Sequence, residues 1–442
     1  MDLSLLLLAT AVIVLTSIVI MYACDGFEEA ADYLGRNMKP GVKGATINAV
    51  ASSLPELFTT SILLFGPVYF PDLFGSRADG FSAGIATTAG SAVFNSVVIP
   101  ALCILAVATI GVKTASGHRV RVREITLNRR VAIKDGLFFL AGEVALIFFL
   151  GGAILEWWMG AVLTAIYLAY ITVTLGFGFE GSSSGDGAHD EPDTPDGADS
   201  SDTKSVGILG LGWLLDFNQR LHGGCELNDR RAWRIVAVAT AVIALACAGI
   251  AWAVEHSATA LGIEPYFTAV ILAAAATSVP DTVLSVKDAL KGEYDDAIAN
   301  AVGSNIFDLT ICLGIPLLAY GLLIGEIQLT HSGAAADVQV LRWVLLFTTV
   351  CVLGLLLIGR HIGTIRAFLL IALYAGWSAF IIGRAFEAQW AQTIVDTLPK
   401  GDVVSQETER ARVHDVLRAS SEPAPAAVLC TVDMQGRDEF GR

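Results

Sequence analysis

Glu56 and Asp281 are carboxylates inside long apolar runs, and each directly follows a proline. The two stretches read Ala51-Ser52-Ser53-Leu54-Pro55-Glu56 and Ala276-Thr277-Ser278-Val279-Pro280-Asp281. A charged side chain at the centre of a membrane helix costs about 2.5–3.5 kcal/mol even on the most lenient insertion scales. Such an acid persists where something positive comes to it. Proline lacks an amide N–H and frees the carbonyl one turn earlier, here near Ala51 and Ala276. A freed carbonyl at membrane depth is tolerated where it faces a cavity or an ion. Ser52, Ser53, Thr277 and Ser278 add hydroxyl oxygens beside each acid. Farther along come Gly90-Ser91-Ala92-Val93-Phe94-Asn95 and Gly303-Ser304-Asn305-Ile306-Phe307-Asp308. Ser91 and Asn95, like Ser304 and Asp308, are four residues apart, so each pair shares one helical face.

These residues predict an oxygen cage of three carboxylates, one amide, hydroxyls and carbonyls. Such cages suit hard cations, and Ca2+ accepts six to eight oxygens in tolerant geometry. Zinc or copper would call for imidazole or thiolate, and no mid-span His or Cys is expected to join. Cys24, Cys103, Cys247, Cys312 and Cys351 lie in or at apolar runs without a CxxC pair, and read as small packing residues. Glu143 lies inside an apolar run without a counterpart in the other copy, which predicts a structural or tuning role. Trp157 and Trp158 read as interfacial belt residues.

The elements that must carry this cage are transmembrane helices. Of 442 residues 54% are apolar and only 16% charged, against about 25% charged in ordinary soluble chains. Spans are predicted near 3–24, 42–66, 81–110, 131–151, 154–176, 232–254, 265–290, 296–323, 338–358 and 364–384. The third and eighth are too long for one straight crossing, which predicts tilt, a kink or a break. The opening run lacks a basic leader and a small-residue cleavage site, and is read as the first helix. The motif copies fall on spans 2–3 and 7–8. Five spans separate them, so the copies run oppositely through the bilayer, an inverted repeat of the secondary-transporter kind. The expected plan is therefore all-α, with about ten transmembrane helices in two five-helix repeats, 1–176 and 232–384.

Between the repeats, 177–231 begins as an acidic Gly/Ser/Asp/Pro linker with too few apolar residues to fold alone. It ends in an amphipathic stretch from Val206 to Phe217 followed by Arg220, Arg230, Arg231 and Arg234, which predicts an interfacial helix. Residues 385–442 form a polar tail, with a short helix expected at 403–418. Lys and Arg favour the odd-numbered loops, chiefly Lys113 to Lys134 after span 3. By the positive-inside rule the N-terminus and tail lie outside and the linker inside the cell, with a prokaryotic plasma membrane as the expected location. Asp and Glu total 43 against 28 Lys and Arg, a balance that argues against nucleic-acid partners. The expected partners are Ca2+, monovalent cations and the lipid bilayer.

Both motif copies resemble the alpha-repeats of the calcium/cation antiporter superfamily, the sodium/calcium exchangers. Ser-Leu-Pro-Glu-Leu-Phe-Thr, Gly-Ser-Ala-Val-Phe-Asn, Thr-Ser-Val-Pro-Asp and Gly-Ser-Asn-Ile-Phe-Asp are most similar to the potassium-dependent branch. The resemblance implies a secondary-active antiporter exchanging Ca2+ for Na+ by alternating access, with K+ an additional transported ion in that branch. It implies no cofactor and no enzymatic activity. Glu56 and Asp281 would be the central Ca2+ ligands. Ser52, Ser53, Thr277, Ser278, Ser91 and Ser304 would line the Ca2+ and Na+ sites, completed by Asn95 and Asp308. An acid at Asp308 goes with potassium dependence in the family, though not in every member. The chain departs from the family pattern in three ways. Ala51 and Ala276 replace the family's usual glycine, and Asp281 stands where Glu is commoner. Pro55 and Gly90 are 35 residues apart but Pro280 and Gly303 only 23, so the first copy carries about twelve extra residues around Pro67–Pro71, expected as an outward loop.

Protons could replace Na+ as the coupling ion, since carboxylates bind both. A channel and a two-aspartate intramembrane protease are the more distant alternatives. The protease would need a Gly-x-Gly-Asp setting, and the chain has none. Because the linker has no packable face before Val206, deletion of 182–203 should leave Ca2+ affinity in transport assays unchanged. A correctly inserted but inactive deletion variant would contradict this.

Overall fold

The computed structural model describes residues 2–34, 36, 49–113, 118–126, 129–152, 154–180, 227–328, 335–358 and 361–398. The acidic linker, the interfacial stretch from Val206 and the helix expected at 403–418 lie outside the described residues. Among the described residues, ten long helical segments occupy the positions of the predicted spans: α1 (Leu3–Leu34), α2 (Ala49–Tyr69), α3 (Arg77–Thr109), α4 (Arg129–Phe149), α5 (Trp157–Glu180), α6 (Asp229–Leu261), α7 in two pieces (Pro265–Thr277 and Val279–Lys291), α8 (Tyr294–Leu323), α9 (Ala335–Leu357) and α10 (Thr364–Ala385). A short helix α11, Gln389–Thr397, follows.

By length and apolarity α1, α3, α5, α6, α8, α9 and α10 qualify as crossings, and broken α7 would make an eighth. The expected ten is not reached on this measure. The shortfall is α2 and α4, which carry polar residues inside them: Ser52, Ser53 and Glu56 on α2, and Lys134, Asp135 and Glu143 on α4. Helix ends follow ordinary capping rules. Ser76 accepts from the Asp79 amide at the start of α3, and Asn228 accepts from the Arg231 amide at the start of α6. Gly262 and Gly292 close α6 and α7 at φ 71° and 95°, where glycine carries no Cβ penalty.

The helices sort by burial. In their most apolar stretches 61% of α3 and 67% of α8 is buried inside the protein, against 17% of α1. The centre is therefore α3 and α8, surrounded by α2, α7, α4, α5, α9 and α10, while α1 packs lengthwise against α6.

Two short antiparallel strand pairs join the repeats. β3 (Glu124–Thr126), between α3 and α4, pairs with β6 (His361–Gly363), between α9 and α10, so that Ile125 faces Ile362. β4 (Ile154–Leu155), between α4 and α5, pairs with β5 (Ile327–Gln328), between α8 and α9, so that Leu155 faces Ile327. Adding five helices to each partner converts one pair into the other, so the pairs obey the two-fold relation of the repeats. They lie at opposite ends of α4. All four facing residues are buried. A third pair, β1 (Val112–Lys113) with β2 (Arg119–Val120), is local to the α3–α4 connection.

The twelve extra residues of the first copy do not form an outward loop. They lengthen α2 to Tyr69 and start α3 at Arg77, with one helical turn, Pro71–Phe74, between. That turn folds back: Phe74 lies over Gly66, and Gly75 sits against the Glu255 carboxylate of α6.

Gly90 is where backbones approach most closely in the motif region. A Cβ there would overlap the Val270 carbonyl oxygen of α7 and lie 2.8 Å from the Ala274 Cβ. At Gly303, its counterpart, the nearest atom is the Tyr170 hydroxyl at 3.6 Å. Gly90→Ala should therefore destabilise by about 1–3 kcal/mol, as overpacking does, and Gly303→Ala by much less. Thermal unfolding of the two purified variants checks the order; equal midpoints would refute the close α3–α7 crossing.

Candidate ion-binding site

Helix breaks concentrate in the second copy. α7 bends by 42° between Thr277 and Val279. Ser278 leaves helical geometry at ψ 3°, and Val279-Pro280 start the next piece, where proline's missing N–H costs nothing. α8 widens into a π-turn at Asp308–Cys312. In the first copy Pro55 lies inside the continuous α2, and α3 runs unbroken past Asn95.

α2, α3, α7 and α8 bring together most of the residues singled out from sequence. Ser91 Oγ lies 2.8 Å from Asp308 Oδ2, 2.9 Å from Ser278 Oγ and 3.3 Å from Glu56 Oε1. Ser278 Oγ in turn donates to Glu56 Oε1 at 3.4 Å. Ser52 hydrogen-bonds Asp281, and its counterpart Thr277 stands beside Glu56, so each copy's hydroxyl neighbours the other copy's acid. The Thr277 hydroxyl gives its proton to the Ala273 carbonyl at 3.1 Å. Ala51 and Ala276 are buried beside these groups, and Ser53 is fully buried with its hydroxyl unpartnered.

Asn95 occupies the middle. Its Nδ2 lies 3.1 Å from Asp281 Oδ2 and 3.3 Å from each of Ser91 Oγ, Ser304 Oγ and Asp308 Oδ2. An amide nitrogen has two protons, so four oxygens around it exceed what it can serve. Glu56 Oε2, Asp281 Oδ1 and Asn95 Oδ1 are buried without partners. Among the described residues no three acidic, histidine or cysteine side chains converge tightly enough to grip a metal ion as they stand. Ser91 and Asn95 lie between the three carboxylates instead. The donor set is thus oxygen-rich and negative, with the amide N–H as the positive pole at its centre.

Two features escape a reading of the sequence. Cys312 reads there as inert packing, yet its Sγ lies 3.8 Å from Asp308 Oδ1 and 3.6 Å from the Ser53 carbonyl oxygen. Its position four residues after Asp308 is the signal that points to the site. Cys247 of α6 likewise reaches the Pro55 carbonyl at 3.4 Å. Glu143 has no acid at the corresponding place in the other copy, but Thr349, which stands there, donates to its Oε1. Each stands fourteen residues past the first residue of its helix, α4 and α9. Outside the membrane, Glu264, ahead of α7, is held above the usual carboxylate range by burial and then by the charges of Asp79 and Asp337.

Fold and site together define a helical membrane protein of two inverted copies with a buried carboxylate cluster where they meet. The chain belongs to the sodium/calcium exchanger protein family, which matches residues 8–176 and 231–383 and comprises transporters rather than enzymes. A sodium/potassium/calcium exchanger of Drosophila melanogaster is 37% identical over 91 residues, 20% of this chain and 10% of that protein. Sodium/potassium/calcium exchanger 3 of Homo sapiens is 30% identical over 169 residues, 36% of this chain and 22% of that protein. The matches thus span less than a quarter of either relative's length. The solved structure of the H+/Ca2+ exchanger CAX superposes with a TM-score of 0.60 at 13% identity, covering 93% of this chain and 90% of that one, a likeness of fold.

Proposed function

We propose that the chain exchanges Ca2+ for Na+ across a bilayer by alternating access, with Glu56, Asp281 and Asp308 supplying the charge that holds Ca2+. Asn95 with Ser52, Ser53, Ser91, Thr277, Ser278 and Ser304 belongs to the same cluster, and the backbone near Ala51 and Ala276 borders it. The observation that carries this reading is the ring of four oxygens, drawn from three helices and both copies, around the Asn95 amide. With a cation in that ring, the amide turns its oxygen inward in place of its nitrogen.

The hydroxyls paired across the copies favour Na+ as the counter-ion, because neutral oxygens serve a monovalent metal ion and are superfluous for a proton. Proton coupling is the second reading, favoured by a cluster whose carboxylates could each take a proton. The linker faces the cytoplasm in this proposal, as the arginine- and lysine-rich loop after α3 does.

Uptake of radiolabelled Ca2+ into proteoliposomes under outward Na+, K+ or proton gradients tests the proposal. An outward Na+ gradient should drive uptake and a proton gradient alone should not. Uptake driven by the proton gradient alone would overturn Na+ coupling in favour of protons. No uptake under any gradient would overturn Ca2+ antiport itself.

A further inference from the structure

The chain leaves α3 through Gly111, whose φ of 88° lays the following residues against Val120 and Arg121. In the strand pair formed there, β1 with β2, Lys113 stands directly across from Arg119. Like charges in facing positions of a ladder repel, so this pair is unfavourable without an anion beside it. The chain continues Arg119-Val120-Arg121-Val122-Arg123, alternating cation and valine, and alternate residues of an extended run share a face. Lys113 and the three arginines are exposed, and among the described residues none of the four has an acidic partner. Arg36, Lys287, Lys291 and Arg384 by contrast each hold an aspartate, at 2.7–3.1 Å. The Val122 amide donates to the Val107 carbonyl in the last turn of α3, at 3.4 Å. The cations therefore sit at the level where a membrane helix ends and lipid headgroups begin. Ile110 and Val120 are exposed beside them.

We propose that Lys113, Arg119, Arg121 and Arg123 form a binding surface for anionic phospholipids. The guanidinium groups take the headgroup phosphate in charge-assisted hydrogen bonds. The anion relieves the repulsion between Lys113 and Arg119, and the acyl chains cover Ile110 and Val120. The acidic segment 182–203 supplies negative charge as well, but it has almost no apolar residues with which to cover Ile110 and Val120.

The test follows thermal unfolding of the purified full chain in mixed micelles of a neutral detergent with rising phosphatidylglycerol, and with phosphatidylcholine as the control. Phosphatidylglycerol should raise the unfolding midpoint, and less so at high salt; phosphatidylcholine should not raise it. Arg119→Gln, Arg121→Gln and Arg123→Gln should each raise the half-effective lipid concentration about fivefold, and the triple substitution should remove the response. Lys113→Gln should raise the midpoint without lipid, because it removes the like-charge contact, and should shrink the rise that lipid brings. Arg36→Gln, whose cation is already held by Asp229, should keep the wild-type response. A triple variant that responds like the wild type would overturn the proposal. So would an equal rise with phosphatidylcholine, or with soluble glycerol phosphate, which carries the charge without the acyl chains. A response that emerges only after deletion of 182–203 would assign the surface to that segment and overturn the lipid reading. If the triple variant does not accumulate, Lys113→Gln decides: a midpoint lowered without lipid, or an undiminished lipid response, would overturn the assignment. Neither Ca2+ nor an ion gradient enters the measurement, so its outcome is independent of the exchange reading.

Discussion

Asp281→Asn should abolish Ca2+ uptake in proteoliposomes while the protein still inserts and purifies as a single species, and Glu56→Gln should do the same. The substitutions keep side-chain shape and remove one negative charge each. At an effective dielectric of about 20, a unit charge about 4 Å away is worth about 4 kcal/mol to a monovalent ion and about twice that to a divalent one. Desolvation offsets much of both figures, but a remaining deficit of about 3 kcal/mol is still roughly a hundredfold in affinity. Ca2+ therefore suffers far more than Na+. Asp281 also anchors the Asn95 amide at 3.1 Å and receives the Ser52 hydroxyl, so an amide in its place puts an N–H against a donor. The check is initial Ca2+ uptake normalised to inserted protein, beside Ca2+ binding to the purified variant. Near-normal uptake by either variant would remove these residues from the site.

The second large effect concerns K+. Glu56, Asp281 and Asp308, if ionised, offer three negative charges in a buried cluster, of which a Ca2+ bound as proposed would neutralise two. An uncompensated buried charge is costly, so a further cation must accompany Ca2+. By the resemblance an acid at Asp308 goes with potassium dependence, though not in every member; if K+ is that further cation, Ca2+ uptake driven by outward Na+ should require external K+. Replacing K+ by choline should then suppress uptake, and Asp308→Asn should abolish the requirement without abolishing exchange. If a proton fills that place, uptake will ignore K+ and fall as pH rises. Initial rates with K+ or choline at two pH values separate the outcomes, and indifference to K+ at both would refute the potassium reading.

The positions of the long helices were legible because an apolar run long enough to span a bilayer is rare in a chain that folds in water. That these residues cluster was legible because they occur twice, in a frame that inverts across five helices. What packing decides was not legible. Leu54-Pro55-Glu56 and Val279-Pro280-Asp281 are nearly the same local sequence, yet one lies in a continuous helix and the other opens a new one. Chain-local chemistry cannot separate them; their neighbours do. Cys312 hides in the sequence because a buried cysteine is usually inert, and its contact with the Ser53 carbonyl depends on how α8 meets α2. The extra residues near Pro67–Pro71 read as a loop because prolines punctuate them, whereas one begins a helical turn and the other sits near the end of α2. The strand pairs between repeats are only two or three residues long, too short for any alternation to show.

Those strand pairs have a mechanical consequence. Each half of the molecule is hemmed to the other at both faces, Ile125 to Ile362 at one and Leu155 to Ile327 at the other. Two panels sewn along both edges cannot swing open like a hinged door, because widening one edge tears stitches that the other edge keeps in line. The stitches flank α3 to α5 and α8 to α10 and leave out α1 and α6, which lie along each other and expose most of their surface. If the chain works by the alternating access proposed above, the freedom to uncover the cluster, first on one side and then on the other, belongs to that unsewn pair.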